Sequence, residues 1–220
     1  MKILGFRENI QELEPKWKLG NTSYEKYTDH LIESSNIPKR FLTAFLSEIP
    51  DEIYLEMLDF PNKKGFYLWG PVGTGKTFIV CSLINHQIQN YKVEGWETPE
   101  NTYYENRTTI PRFCSMPEIL LEIRASFSGK GTDESKIIEK YSSRQCLIID
   151  DIGVEKLSEF ANQTIYLIIN NRYENKLQTI FTSNMNLNQL AEKLGDRISS
   201  RIAEMCKVIN LTGKDRRISK

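Results

Sequence analysis

An eight-residue glycine-rich pattern constrains this chain more than any other feature of its sequence. Residues 70–77 read GPVGTGKT, a full G-x-x-x-x-G-K-T. Glycines let backbone N–H groups turn inward around phosphate oxygens, and a helix that begins at the same point adds its dipole. The apolar segment GFYLWG precedes the loop and an amphipathic segment from Lys76 to about residue 91 follows it, so the required strand–loop–helix context is present. The pattern predicts a site for a nucleoside triphosphate.

Two side chains at the end of this loop have predicted roles of their own, in addition to the phosphate contacts of the backbone. Lys76 is expected to reach the β- and γ-phosphates, and the hydroxyl of Thr77 to bind Mg²⁺. The predicted nucleotide-binding residues form one continuous run: Gly70, Pro71, Val72, Gly73, Thr74, Gly75, Lys76, Thr77 and Phe78.

A second pattern places two carboxylates at the end of an apolar run. Residues 146–151 read CLIIDD, which predicts a buried strand followed by two acids. Asp150 is expected to hold Mg²⁺ through water, because Mg²⁺ dehydrates reluctantly. Asp151 is placed to orient or deprotonate an attacking water, which favours hydrolysis over simple nucleotide binding. The alternative, a pair of acids that caps a helix, stays open on sequence alone.

Two further patterns add polar residues downstream. Asn184 follows the predicted strand QTIFTS, where an amide can hydrogen-bond the γ-phosphate or the attacking water, although asparagine also favours turns. Arg197 and Arg201 lie four residues apart and therefore share one helix face. They are either exposed or paired with an acid such as Glu204, or they complete the site of a neighbouring subunit as an arginine finger.

Strands and helices alternate from residue 66 onward, and this predicts a mostly parallel sheet with helices on both faces. Residues 1–40 are polar and contain one short predicted helix, and residues 40–60 are predicted to be helix interrupted at Pro50. The polar, acid-rich stretch 93–109 is interpreted as a surface excursion, either a plain solvated loop or a functional insertion.

Composition excludes several classes of protein. Lys and Arg number 29 and Asp and Glu number 29, so the net charge is zero and any DNA contact must come from a local patch. The four cysteines form no C-x-x-C pair and only two histidines are present, so a zinc site is not expected. No apolar run reaches the roughly 20 residues needed to cross a bilayer, and the chain is expected to be cytoplasmic with no membrane partner.

In order and spacing, the four motifs resemble those of AAA+ ATPases of the bacterial helicase-loader type (DnaC and DnaI) and of IstB-like ATP-binding proteins. The resemblance covers about residues 36–218. The segments that carry it are IPKRF, GPVGTGKT, RFCSMPEILLEIR, LIIDDIGVEKLSEF, IINNRYENKLQTIFTSN and LGDRISSRIAEMCKVINLTGKDRR.

This resemblance implies a P-loop NTPase sheet in which the strand before Asn184 lies between the two strands that end in the phosphate loop and in Asp150. It implies ATP and Mg²⁺ as cofactors, Asn184 as the sensor residue and Arg201 as a finger acting in trans on a self-associated neighbour, with Arg197 nearby. Since the sequence ends nine residues after KVINL, no C-terminal helical lid is expected. The expected division is a segment 1–40 that docks a partner and an ATPase domain 41–220.

The resemblance also implies partners. A loader of this type acts on a replicative helicase and on single-stranded DNA, whereas the IstB type helps a transposase. A helix at about residues 128–141 is implied to face single-stranded DNA, with Phe127 a stacking residue and Lys130 and Lys136 phosphate contacts. The alternative, in which Phe127 is part of the core and the lysines are solvated, stays open.

Overall fold

Five parallel strands form the centre of the molecule. The computed structural model describes residues 22–58, 64–89, 93–97, 102–106, 110–127, 133–155, 157–213 and 215. The strands of the main sheet are β1 (Gly65–Trp69), β4 (Arg112–Ser115), β5 (Cys146–Asp150), β6 (Gln178–Ser183) and β7 (Cys206–Asn210). Their order is β4-β5-β6-β1-β7, and each neighbouring pair is parallel.

This order brings the predicted motifs to one edge of the sheet. Strand β6 lies between β1 and β5, as the family resemblance implies, with Trp69 opposite Ser183 and Ile149 opposite Phe181. In a parallel sheet all strands end at the same edge, and ligands bind beyond those ends. The phosphate loop follows β1, Asn184 follows β6, and Asp150 and Asp151 lie at the end of β5.

Helices cover both faces of the sheet, which confirms the predicted α/β architecture. The helices are α1 (Thr22–Ser35), α2 (Asp51–Leu58), α3 (Lys76–Gln89), α4 (Met116–Phe127), α5 (Glu134–Ser142), α6 (Glu159–Glu174), α7 (Leu187–Leu194) and α8 (Asp196–Met205). Side chains of β5 alternate between two cores: Cys146 and Ile148 pack with α3, while Leu147 and Ile149 pack with α4, α6 and α8. Burial on both faces explains why this strand is uniformly apolar.

The segment before α2 differs from the sequence-based expectation. Residues 39–48 contain two short 3₁₀ turns, Lys39–Phe41 and Leu46–Glu48, where helix was predicted from residue 40 onward. The amide of Asn85 on α3 donates to the carbonyl oxygens of Phe41 (2.8 Å), Leu42 (3.3 Å) and Ala44 (2.8 Å). These carbonyl groups accept from a side chain more than forty positions away, and that of Phe41 also accepts from the N–H group of Ala44 in a turn (3.1 Å). Tertiary contact therefore overrides the local helical pattern.

The excursion at residues 93–109 is not a plain loop. It contains an antiparallel pair of strands, β2 (Val93–Glu97) and β3 (Thr102–Asn106), with Trp96 opposite Tyr103. Valine, tryptophan, threonine and tyrosine favour strands, and the four intervening residues, TPEN, include turn formers. The high content of acidic residues predicted a surface excursion, although the same stretch contains residues that favour strands.

The predicted short N-terminal helix is present as α1 and packs on the sheet. Leu31 and Ile37 are buried in the same core as α3. Arg112 Nη1 donates to the carbonyl oxygen of Ser34 (3.0 Å), and Asn36 Nδ2 to that of Phe113 (3.1 Å). Residues 31–40 therefore share their core with the segment that follows, and the proposed boundary at residue 40 stays a prediction. None of the helices in the described ranges is both long enough and apolar enough to span a bilayer.

Candidate nucleotide site

The phosphate loop connects the end of β1 to the start of α3. Within it, Lys76 is only 6% exposed, and its Nζ donates to the carbonyl oxygens of Gly70 (2.8 Å) and Pro71 (2.9 Å). The hydroxyl of Thr74 donates to the same Pro71 oxygen (2.9 Å). These bonds hold a closed, glycine-rich turn at the helix N-terminus, the arrangement that the sequence predicts for phosphate binding.

Phe78, in the first turn of α3, packs edge-on against Phe41 with ring centroids 6.4 Å apart.

Three oxygen-bearing side chains from different elements meet beside the loop. Thr77 Oγ1 at the start of α3 donates to the Asp150 carboxylate, 3.1 Å from Oδ1 and 3.0 Å from Oδ2. Thr182 Oγ1 near the end of β6 donates to Asp150 Oδ1 at 2.6 Å. The structure thus brings together Thr77 and Asp150, the two residues predicted to hold Mg²⁺, although they are 73 positions apart.

Burial shapes the electrostatics of this cluster. Asp150 is 5% exposed, and burial raises its pKa to about 6, with the neighbouring Asp151 adding to the rise. Hydrogen bonds from Thr182 and Thr77 and the charge of Lys76 act in the opposite direction and do not offset burial. The ionised carboxylate is therefore poorly compensated in the protein alone, which suits a place where a cation binds.

Thr182 is the residue of this cluster to which sequence reasoning assigned no role. It is fully buried, and besides donating to Asp150 it accepts the backbone N–H of Asp151 at 2.9 Å. Ser183 next to it donates to the carbonyl oxygen of Ile152 at 2.7 Å, so two hydroxyls tie the ends of β5 and β6 together. The signal in the sequence is a pair of hydroxyl residues, Thr182 and Ser183, at the end of the strand QTIFTS.

The other predicted catalytic residues lie at the same edge. Asp151 is half-buried and has a φ of 58°, a left-handed conformation that is uncommon outside glycine and frequent at functional sites. Asn184 is exposed directly after β6. Their positions are compatible with the predicted roles, which remain predictions.

Arg201 is held by side chains of α6. Its Nε donates to Asn170 Oδ1 (2.7 Å), and its Nη2 to the hydroxyl of Tyr166 (3.1 Å). The guanidinium also lies 5.0 Å from the ring centroid of Tyr166 and 5.5 Å from that of Tyr173. Glu204 instead accepts from the Tyr173 hydroxyl at 2.7 Å. Arg201 is half-buried, and its Nη1 also donates to the carbonyl oxygen of exposed Arg197 (3.1 Å). None of these contacts of Arg201 involves the cluster around Asp150.

The three predicted DNA-contacting residues do not all fall within the described ranges. Phe127 is 76% exposed at the end of α4, so the interpretation of it as a core residue is wrong. Its ring lies 5.2 Å from that of Phe160, beside a cavity of about 410 Å³ that the acids Asp133 and Glu134 also line. Lys136 is exposed on α5, and Lys130 lies outside the described residues.

Sulfur and histidine ligands form no cluster in the ranges that the structure covers. All four cysteines are buried free thiols, and no group of three or more histidine, cysteine or acidic side chains suits a metal ion among the described residues. The expectation of no zinc stays a prediction.

Comparison with known proteins identifies the family. The model of the IstB-like ATP binding protein family matches residues 108–220, just over half of the chain. The chain belongs to the IstB-like ATP-binding protein family. The match covers Asp150, Asp151, Asn184 and Arg201 and begins after the phosphate loop.

Named relatives of this IstB-like protein are helicase loaders. The replicative helicase loader DnaC of Escherichia coli (strain K12) is 24% identical over 149 residues, which are 68% of this chain and 54% of the relative. The replicative helicase loader DnaI of Bacillus subtilis (strain 168) is 25% identical over 167 residues, 70% of this chain and 48% of the relative. The chain thus spans about half the length of the curated relatives it matches.

Solved structures agree with the fold. A crystal structure of the DnaC helicase loader superimposes with a TM-score of 0.62 at 22% identity, over 80% of this chain and 100% of that chain. This likeness confirms the expected α/β P-loop fold of the AAA+ type. The family itself is described as one of ATP-binding proteins.

Proposed function

We propose that this protein hydrolyses ATP with Mg²⁺ and uses the cycle to load a replicative helicase onto single-stranded DNA. The contact of Thr77 and Asp150 beside the phosphate loop supports the ATPase, because it joins the two motifs that a hydrolytic site needs. The names of the DnaC and DnaI relatives support the task.

The donor set fits Mg²⁺. A hydroxyl from Thr77 and a carboxylate from Asp150 are hard oxygen ligands, which Mg²⁺ prefers, and Lys76 adds a fixed positive charge to the phosphate loop. Bound there, Mg²⁺ would supply charge neutralisation for the phosphate oxygens. Thr182 would keep the Asp150 carboxylate in the orientation in which Thr77 meets it.

The remaining chemistry falls to this chain's own side chains. Asp151, next to the buried acid and partly open to solvent, would orient and deprotonate the attacking water. Asn184 at the end of β6 would hold that water or the terminal phosphate by its amide. Arg201 would stabilise charge in the site of a neighbouring copy, because its guanidinium is held by Asn170 and Tyr166 of α6 and not by the cluster around its own Asp150.

An ATPase assay tests the site. Lys76→Ala should lower phosphate release by about 10²-fold or more, as expected for loss of a charge that acts on the transferring group. Asp151→Asn should abolish turnover while ATP still binds, and Lys207→Ala, an exposed lysine on the edge strand, serves as the matched control. Unchanged hydrolysis in Lys76→Ala would show that the site assignment is wrong.

A loading assay separates the two candidate tasks. The protein should be mixed with the replicative helicase from the same genome and a circular single-stranded DNA bearing an annealed oligonucleotide. ATP-dependent release of the oligonucleotide supports the loader. The family match to IstB-like proteins favours the second candidate, an ATPase helper of a transposase, and stimulation of a transposase with no effect on the helicase would select it.

Residues 1–40 are proposed to dock the partner. A chain that begins at Thr22 keeps α1, which packs on the sheet through Leu31. This truncation should therefore retain ATP binding and lose helicase capture in a pull-down. Full capture by the truncated chain would exclude residues 1–21 from the docking surface and leave α1 as the part of residues 1–40 that can dock.

A local DNA contact is proposed at the end of α4. Phe127 offers an exposed ring on which a base can stack, and Lys136 offers a charge for phosphate. Phe127→Ala should weaken single-stranded DNA binding by about tenfold. Leu121→Ala is the matched control, because Leu121 is an apolar side chain on the same helix that is 62% exposed. Equal effects of the two substitutions would argue against stacking on Phe127.

A further inference from the structure

The chain segment after β7 runs back across the phosphate loop. The backbone N–H of Leu211 donates to the carbonyl oxygen of Trp69 at 2.7 Å, at the end of β1, and the Leu211 side chain is 4% exposed within the core that contains α3. Gly70 opens the loop with a φ of 154°, and a Cβ on it would overlap the carbonyl oxygen of Leu211. The segment is therefore packed against the first residue of the loop.

Four residues further on, a carboxylate reaches the middle of the loop. A Cβ added at Gly73 would overlap the carboxyl group of Asp215, with the carboxyl carbon and both oxygens within reach. Gly73 has a φ of 81°, so glycine meets two demands there, the left-handed backbone and the space that Asp215 fills. The Asp215 side chain is partly buried in this position.

We infer that Asp215 is a residue of the nucleotide site and that its negative charge weakens the binding of nucleotide phosphates and speeds their release. The inference uses only the ATP-binding part of the proposed function. Backbone N–H groups of this loop and the charge of Lys76 are arranged to attract anions, and a carboxylate held against Gly73 competes for the same electrostatic field. A bound di- or triphosphate brings several negative charges close to that carboxylate, and like charges at such distances repel in a partly buried site.

Asp215 therefore affects nucleotide affinity although it lies outside the phosphate-loop motif, residues 70–77. Glycines and lysine of the loop favour phosphate, while a residue supplied by the segment after β7 opposes it. Nucleotide binding must therefore either tolerate the repulsion or displace Asp215 from Gly73. In both cases, removal of the charge strengthens binding.

Equilibrium titration with a fluorescent ATP analogue tests the inference on the full-length chain. Asp215→Asn keeps the shape and removes the charge, and it should bind about 5- to 20-fold more tightly, with a slower dissociation rate in a chase with unlabelled ATP. Asp215→Lys should bind at least as tightly as Asp215→Asn. The gain should shrink at high salt, since part of the repulsion is screened.

Matched controls keep the outcome interpretable. Glu192→Gln removes one exposed acid on α7 and should leave binding unchanged, and circular dichroism with thermal unfolding verifies that each variant folds. Affinity that is equal to or weaker than that of the wild type in folded Asp215→Asn would overturn the inference. Failure of the wild-type chain itself to bind ATP, or binding that Lys76→Ala leaves intact, would instead count against the proposed nucleotide site.

Discussion

Burial of the Asp150 carboxylate lowers the stability of the folded protein, but the same burial favours the binding of a cation. It is almost fully buried, receives hydrogen bonds from Thr77 and Thr182, and still has a pKa raised to about 6 by burial. A carboxylate in this condition is unfavourable for the folded protein by itself and favourable once a cation is present. Asp150 is thus required by the proposed chemistry, although its buried charge does not stabilise the fold.

Replacing Asp150 by Asn should therefore stabilise the nucleotide-free protein at pH 7.5. The folded pKa is above the unfolded value of 3.8, so the folded state binds the extra proton between about pH 4 and 6. Wild-type stability from this group is present at low pH and is lost as pH rises through 6. Urea unfolding should show the variant about 1–3 kcal/mol more stable at pH 7.5, with the gap narrowing towards pH 4.5. A gap that is independent of pH would contradict the assignment.

Thr182 should affect turnover more than binding. Thr182→Val keeps the shape, but it removes the donor to Asp150 and the acceptor for the Asp151 N–H group. We expect a loss of about 1–3 kcal/mol in the free energy of unfolding. The kcat for ATP should fall by at least about tenfold, while the Kd for ATP changes by less than about threefold. Thr182→Ser, which keeps the hydroxyl, should recover most of the activity, and a Ser variant as poor as Val would argue against the hydroxyl's role.

At the scale of elements, α6 joins two parts of the molecule through one buried arginine. Arg172 is fully buried, and its guanidinium donates to the carbonyl oxygens of Tyr141, Arg144 and Gln178 and to the hydroxyl of Thr179, at 2.7–2.9 Å. Burial lowers the Arg172 pKa to about 10, so the side chain stays charged at neutral pH. The carbonyl groups at the end of α5 and the start of β6 are thus satisfied by one residue of α6.

Arg172→Leu should destabilise the fold by about 3–5 kcal/mol, because it leaves two buried and two partly buried acceptors without the guanidinium donor. Arg172→Lys keeps the charge but not the planar fork of donors, and it should lose about half as much. Urea unfolding measures both, with Arg144→Leu as a control, since the Arg144 side chain is exposed. Equal stability of Arg172→Leu and Arg144→Leu would contradict this structural role.

At the scale of the whole molecule, the candidate site is divided between two surfaces. The phosphate loop, Asp150, Asp151 and Asn184 meet at one edge of the sheet, whereas Arg201 is oriented by Asn170 and Tyr166 on α6. If Arg201 acts on a neighbouring copy, a complete site requires two chains, and activity depends on protein concentration.

Mixing inactive variants tests this division. Lys76→Ala chains retain Arg201, and Arg201→Ala chains retain the phosphate loop, so mixed assemblies contain some complete sites. Phosphate release should recover to a fraction of the wild-type rate on mixing, and a Lys76→Ala/Arg201→Ala double variant mixed with Arg201→Ala should not recover. Wild-type activity of Arg201→Ala alone would show that Arg201 is a structural residue of α6 and α8.

Local sequence patterns were sufficient to predict those parts of the structure whose conformation depends on residues adjacent in the chain. The phosphate loop, the helix that follows it and the strand that ends at Asp150 were predictable, because glycine content, helical spacing and apolar runs are local properties. The 3₁₀ turns around Phe41 were not predictable in this way, because their conformation depends on hydrogen bonds from the distant Asn85 side chain of α3 to the carbonyl groups of this segment. The strands β2 and β3 were not predicted, because the stretch is rich in charged residues although it also contains aromatic and β-branched residues that favour strands.

The sequence by itself determined the phosphate-binding loop, the order of the strands along the chain, and the two acids placed for a cation and a water. Only the tertiary structure decided that Thr182 supports Asp150, that Asn170 and Tyr166 orient Arg201, and that Asp215 lies against Gly73. The reason is physical: backbone conformation and phosphate recognition follow from neighbouring residues. The charge and hydrogen bonding of a buried side chain depend instead on partners that arrive from distant parts of the chain.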